Sequence, residues 1–191
     1  MTRASTLSPV DWIQAAFRTL TERGIEHVKV EPLARDLGVS KGSFYWHFSD
    51  RPALHAAMLQ HWKHQATDTI IGRVERAGDD PRTRLCTLIT LAAATAPEAY
   101  GGAGVESAIR SWARHDADAQ HAVAAVDTTR IRYVQGLFRA AGATSARARA
   151  MADTVYATLV GLDALPHHSA RSRKHALQLV LDGLLETVPT Q

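Results

Sequence analysis

Apolar residues recur along nearly the whole chain at the i, i+3, i+4 and i+7 spacing of an amphipathic helix. No alternating strand pattern of useful length interrupts them, so the pattern predicts an all-α protein. The first helix opens at Ser8-Pro9-Val10-Asp11: a serine cap, a proline where no N–H is needed, and an acid near the positive end of the dipole. Ile13, Ala16, Phe17 and Leu20 form its buried stripe, and Gly24 ends it. Pro32 fits the first turn of a second, short helix carrying Leu33, Ala34 and Leu37, with Gly38 placed as a glycine just past its end. Ser40 suits the cap of a third, with Lys41 first and with Phe44 and Phe48, four apart, on its inner face. Asp50 caps a fourth helix that the pattern carries from about Arg51 to Ala77, roughly 40 Å at 1.5 Å per residue.

Downstream, Asp80-Pro81 starts a helix with Leu85, Leu88, Ile89 and Ala92 inward. Pro97 and the Gly101–Gly104 run break the pattern and read as a flexible loop, a plausible mobile gate. A short helix carries Ile109 and Trp112, and Asp116 caps a long one through Val123, Val126, Val134 and Leu137 to Gly142. Two helices close the chain, near 145–165 and near 172–188. The last one bears Leu177, Leu179, Val180, Leu181, Leu184, Leu185 and Val188, wider than a single stripe, and so needs more than one partner surface. Burial inside the domain and a subunit interface both meet that need. The expected organisation is a three-helix head over residues 1–50, joined by the long helix to a helical domain over 51–191.

Two short helices joined by a tight glycine turn are a helix-turn-helix. The second helix begins with a basic and a small residue and then exposes aromatics, which suits entry into a major groove. The segment LGVSKGSFYWHFSDRPAL resembles the DNA-binding stretch of the tetracycline-repressor (TetR/AcrR) family of bacterial regulators. The match lies in Leu33-Ala34, Leu37-Gly38-Val39-Ser40, Gly42, Phe44-Tyr45, His47-Phe48 and Arg51 before Leu54. By that resemblance Lys41, Gly42, Ser43, Tyr45, Trp46, His47 and Arg51 fall where the family contacts DNA. Lys41 suits phosphate or guanine acceptors, Ser43 a base edge or phosphate, and Tyr45 a phosphate through its hydroxyl. Gly42 permits close approach of backbone, Arg51 stands beside a helix start suited to phosphate, and Trp46 is read equally well as packing. The chain departs from the family at Lys29-Val30-Glu31, where a hydroxyl residue often meets phosphate; Lys29 is the substitute and Glu31 a poor neighbour for an anion.

The resemblance further implies a homodimer through the two C-terminal helices, a double-stranded DNA operator as partner, and a pocket for a small-molecule effector of unknown identity. Function is then sequence-specific transcriptional regulation, a repressor released from a palindromic operator by its ligand, with activation by the same fold an open alternative. Tyr100, Trp112, Trp62 and His115 are cavity-lining candidates that core packing explains equally well, so the ligand-binding residues are unknown.

Net charge of +3 with a pI near 9.3 does not by itself argue for DNA, because residues 1–51 hold seven Lys/Arg against six Asp/Glu. The single Cys86 forbids an intramolecular disulfide and a cysteine metal cage. Neither a signal-like start nor a long uncharged apolar run is present, so a soluble cytoplasmic protein with no membrane partner is expected. Catalytic signatures are lacking: there is no Gly-x-Ser-x-Gly elbow and no phosphate-cradling glycine loop after a strand, so neither enzyme activity nor a cofactor is expected. Glu106/Arg110 and Asp127/Arg130 read as ordinary helix ion pairs. The competing reading is a helical ligand- or metal-binding module that does not read DNA, motivated by the near-neutral head and by His55, His61, His64 and Asp68 on one helix. No metal site is expected. Arg3 in a loose N-terminal arm and the pair His167-His168 after Pro166 are the remaining polar features.

Overall fold

The structure is a computed structural model that describes residues 7–165 and 169–189; Arg3 and the His167-His168 pair lie outside the described residues. Helices and their connecting turns account for it, with no strand among the described residues. In order they are α1 (Pro9–Arg23), α2 (Val30–Asp36), α3 (Lys41–Tyr45), α4 (Arg51–Lys63), a π-helical segment (His64–Asp68), α5 (Thr69–Glu75), α6 (Pro81–Ala92), α7 (Val105–Trp112), α8 (Ala117–Ala140), α9 (Ser145–Ala164) and α10 (Ala170–Leu185). No described helix is long and apolar enough to cross a membrane.

Packing divides the chain into two compact units, one of residues up to Trp62 with Ala96–His121, the other of Lys63–Thr95 with residues from Ala122 onward. The units follow packing, whereas the division at residue 50 is one of roles and is taken up below.

In the first unit α1 starts as its sequence dictates. Ser8 donates to the Asp11 carboxylate from both its N–H and its hydroxyl at 2.7 Å, and these bonds hold the Asp11 carboxyl below its ordinary range. Trp12, Phe17 and Leu20 of α1, Leu33 of α2, Phe44 of α3 and Leu54 and Met58 of α4 are fully buried. Trp12 stands edge-on to Phe44 with ring centroids 5.3 Å apart, and Phe44 lies 5.5 Å from Phe48. Leu37, expected in this core, is only half-buried, whereas Trp12 is fully buried in it.

Residues 97–104 pack onto α1 as two 3-10 turns, Glu98–Tyr100 and Gly102–Gly104. The glycines here let the backbone come close to α1. At Gly101 (φ +88°) a Cβ would stand 2.3 Å from Thr21 Oγ1 and 3.2 Å from the Phe17 carbonyl oxygen. Tyr100 stacks on His61 at 4.9 Å and meets Phe17 edge-on at 6.3 Å. Trp62 is buried and donates its indole N–H to Glu106 Oε2 at 3.1 Å, while Arg110 pairs with the other oxygen of that carboxylate at 3.0 Å. The Glu106/Arg110 ion pair is therefore half of a three-residue contact.

In the second unit Leu85, Ile89, Val134, Leu137, Phe138, Met151, Val155, Leu177, Leu181 and Leu185 form one apolar cluster, with Cys86 packed at its margin. The long helix expected from Arg51 to Ala77 runs without a gap from Arg51 to Glu75, with a π-helical turn at His64–Asp68 in its interior. Such a turn inserts one residue and shifts the register of carbonyls. The Ala66 carbonyl accepts from Arg130 Nη2 at 3.1 Å, and the buried Thr67 hydroxyl accepts from Arg130 Nε at 3.1 Å. Tyr156 donates to Asp127 Oδ1 at 2.6 Å beside it. Arg173 of α10 is 5% exposed and donates to Asp163 Oδ1 at 3.1 Å, to the Ala93 carbonyl at 3.1 Å and to Thr95 Oγ1 at 3.2 Å. The breadth of the apolar pattern on α10 resolves into two faces: Leu177, Leu181 and Leu185 are buried, whereas Leu179 is 70% exposed.

Candidate nucleic-acid interface

Gly38 sets the geometry of the head. Its φ of +70° turns the chain out of α2, the Val39 N–H reaches back to the Ala34 carbonyl at 2.9 Å, and the Gly38 N–H reaches the Arg35 carbonyl at 3.1 Å. This double closure is the helix-ending motif that favours glycine, because a Cβ strains the left-handed conformation. Ser40 then takes extended backbone angles and its carbonyl accepts the Ser43 N–H at 3.0 Å, so α3 begins at Lys41; the Ser40 hydroxyl itself makes no capping bond. Phe44 anchors α3 inward, and the rest of the helix is turned by that anchor toward solvent.

The side chains that result are amphipathic and open. Tyr45 is exposed, its ring edge resting 5.3 Å from Phe44. Trp46 is 87% exposed, so packing within the chain does not account for it. Ser43 and His47 are half-buried, and His47 lies near enough to Asp11 to help hold that carboxyl ionised. Around Gly42 the space is open, with only Ser40 Oγ at 3.6 Å from where a Cβ would sit. Arg51 is exposed at the first position of α4, where Asp50 Oδ1 accepts the Ala53 N–H at 2.8 Å. Lys29 is exposed at the cap of α2.

One contact escaped sequence reasoning. Glu31, in the first turn of α2, forms an ion pair and hydrogen bond with the Lys41 ammonium. The Lys41 bond lowers the Glu31 carboxyl pKa, and the Glu31 bond raises the Lys41 ammonium. The partners are ten residues apart on different helices, so no i, i+4 signal announces them.

The histidines that motivated a metal module take separate partners. His55 packs edge-on to Trp112 at 5.2 Å, His61 stacks on Tyr100, and His64 sits 3.9 Å from Asp68. Among the described residues no group of three His, Cys, Asp or Glu side chains gathers as a metal site.

Residues 13–58 match the family model of bacterial regulatory proteins, tetR family. The HTH-type transcriptional regulator YuxN of Bacillus subtilis (strain 168) is 32% identical over 71 residues, covering 37% of this chain and 24% of that protein. The chain thus aligns with about a quarter to a third of the length of the curated relatives it matches. Across nearly the whole chain it resembles the crystal structure of a transcriptional regulator from Rhodococcus sp. Rha1, with a TM-score of 0.76, 22% identity, and coverage of 95% of this chain and 98% of that one. BioQ bound to its double-stranded DNA operator superposes with a TM-score of 0.52 at 24% identity, covering 94% of this chain and 99% of that one. At these identities the structural likeness shows a shared fold: a helix-turn-helix head followed by a helical domain.

Proposed function

We propose that this chain, a member of the tetR family of bacterial regulatory proteins, is a homodimeric repressor that holds a palindromic operator and is released by a small molecule. It acts as a DNA-binding transcriptional regulator, a reading supported by the match over 13–58 and by the helix-turn-helix relatives. The observation that carries the finer reading is α3 itself. Phe44 is locked in the core, and Lys41, Tyr45 and Trp46 stand out in solvent on the same short helix. Neighbouring exposed aromatics beside a cation are the kind of patch that marks an interaction surface. In a major groove Lys41 and Ser43 meet base edges and phosphate, Tyr45 and His47 donate to phosphates, and Lys29 and Arg51 fix the head on the flanking backbone. The open space at Gly42 leaves room for DNA backbone. BioQ, seen with its operator, supports this mode of use for the fold.

Residues 1–50 are then the reading head, and 51–191 the regulatory and dimerising part. Leu179 on α10 and Leu165 at the end of α9 are exposed apolar side chains of the kind a second copy covers. Two heads in one dimer meet major-groove faces about 34–36 Å apart, which is why a palindromic operator is expected. A ligand acts by binding one spacing of the heads better than the other. No catalytic role is proposed, and the site of action is the cytoplasm, where operator DNA lies. Lys41→Ala and Tyr45→Ala test the reading: each should weaken operator binding roughly tenfold or more, as loss of a charged or bidentate contact does, while leaving the helical content and the dimer intact. Wild-type affinity in both variants would refute the assignment of α3.

A further inference from the structure

Lys41 is the first residue of α3, the residue best placed to reach into a groove, and in the DNA-free protein its ammonium is held by Glu31. Both side chains are more than half exposed, so the pair sits in water and exchanges partners readily. Of the carboxylates, Glu31 is the one whose hydrogen bond and charge raise the Lys41 ammonium. Glu31 is thus the carboxylate that bears on Lys41.

We propose, resting on the DNA-binding reading above, that Glu31 is a specificity-determining residue: it withholds Lys41 from phosphates of arbitrary DNA and presents it to base acceptors of the operator. On arbitrary sequence Lys41 either stays on Glu31, where its charge is already neutralised, or leaves it and exposes a bare carboxylate to a polyanion. A cation neutralised within the protein releases no DNA counterion, so the affinity for non-operator DNA falls. In the operator the balance differs. An ammonium has three donors; guanine O6 and N7 take one or two, and the remaining one stays on Glu31. A base contact, which uses directed donors, is compatible with the ion pair, whereas a phosphate contact, which draws on net charge, is weakened by it.

The test uses the full-length protein, a duplex selected from random sequence by the wild type, and a scrambled duplex of equal composition. Glu31→Gln keeps the size of the side chain and removes its charge. Binding to the scrambled duplex should tighten on the order of tenfold at 50 mM salt, and its slope of log affinity against log salt should steepen by about 1.8, one phosphate contact for each of the dimer's two heads. Binding to the selected duplex should change by less than about threefold, so the ratio of the two affinities falls. In a Lys41→Ala background Glu31→Gln should do neither. Equal tightening on both duplexes, no tightening, or tightening that persists without Lys41 would overturn the inference. The reading on which it rests fails separately, if wild-type protein selects no duplex at all, and that result removes both.

Discussion

Replacing Gly101 with alanine should destabilise the protein by about 2 kcal/mol, and the structure says where that comes from. Gly101 has φ +88°, and a Cβ there would lie 2.3 Å from Thr21 Oγ1 and 3.2 Å from the Phe17 carbonyl oxygen. A non-glycine residue in the left-handed region costs about 1–2 kcal/mol. Thr21 must rotate away, and its hydroxyl then surrenders the 3.0 Å hydrogen bond to the Phe17 carbonyl, worth about 1 kcal/mol. Against this, alanine restricts the unfolded chain and returns about 0.4–1 kcal/mol. For a chain of this size the net shifts Tm down by roughly 4–8 °C. The second half of the prediction isolates the contact: in a Thr21→Ala background the same change should cost about 1 kcal/mol less, because the colliding hydroxyl is gone and the backbone strain and the 3.2 Å approach to the Phe17 carbonyl remain. Gly136, exposed in the interior of α8 with nothing within 4 Å of its would-be Cβ, is the control; alanine there should stabilise by about 0.5–1 kcal/mol. The assay is urea unfolding followed by far-ultraviolet circular dichroism at one fixed protein concentration, since assembly feeds into apparent stability. A Gly101→Ala protein within about 0.5 kcal/mol of wild type, or one whose loss is untouched by Thr21→Ala, would refute the close docking of residues 97–104 on α1.

Further outcomes follow from buried polar contacts. Arg173→Met takes the guanidinium from Asp163 and from the Ala93 carbonyl that ends α6, and should lower stability by about 3–5 kcal/mol in the same unfolding assay; a loss under 1 kcal/mol would contradict the buried pairing. His55 titrates below its ordinary 6.5, chiefly through burial and secondarily through the nearby Arg51, while Asp116, Glu26 and the Val28 carbonyl pull the other way. Because the unfolded chain binds that proton more readily, the contribution of His55 is complete above pH 6.5 and is lost as pH falls from there through the lower folded value. Wild-type urea midpoints measured between pH 7.5 and 5.5 should therefore fall more steeply than those of His55→Asn, and parallel curves would remove the claim.

Much of the fold was legible because the signals were local. Ser8-Pro9, Asp80-Pro81 and Asp116 mark helix starts through side chains that act within one turn, and each does so: Asp80 accepts the Thr83 N–H at 2.7 Å and Asp116 accepts the Ala119 N–H at 2.9 Å. Gly38 was legible for the same reason, since a glycine after an apolar stripe has one well-populated role. What escaped was set by contacts between distant segments. Nothing in the text of His64–Asp68 announces a π-helical turn; it is stabilised by Arg130, more than sixty positions away. The Gly101–Gly104 run reads as flexibility in isolation and as close packing once Thr21 is opposite it. In the helix-turn-helix head the exposed set around Lys41, Tyr45 and Trp46 followed from the inward pair Phe44 and Phe48, but the Glu31 partner of Lys41 did not, because it depends on how α2 and α3 cross.

The central claim is that a dimer reads a two-fold DNA sequence through α3. Selection of random duplex DNA by the purified full-length protein, followed by fluorescence anisotropy on the selected sequence across a salt series, tests it most directly. The account predicts an inverted repeat whose half-sites are about one helical turn apart or a related spacing, bound with an affinity that falls steeply as salt rises. Recovery of no consensus, or of a sequence without two-fold symmetry bound by a monomer, would contradict it.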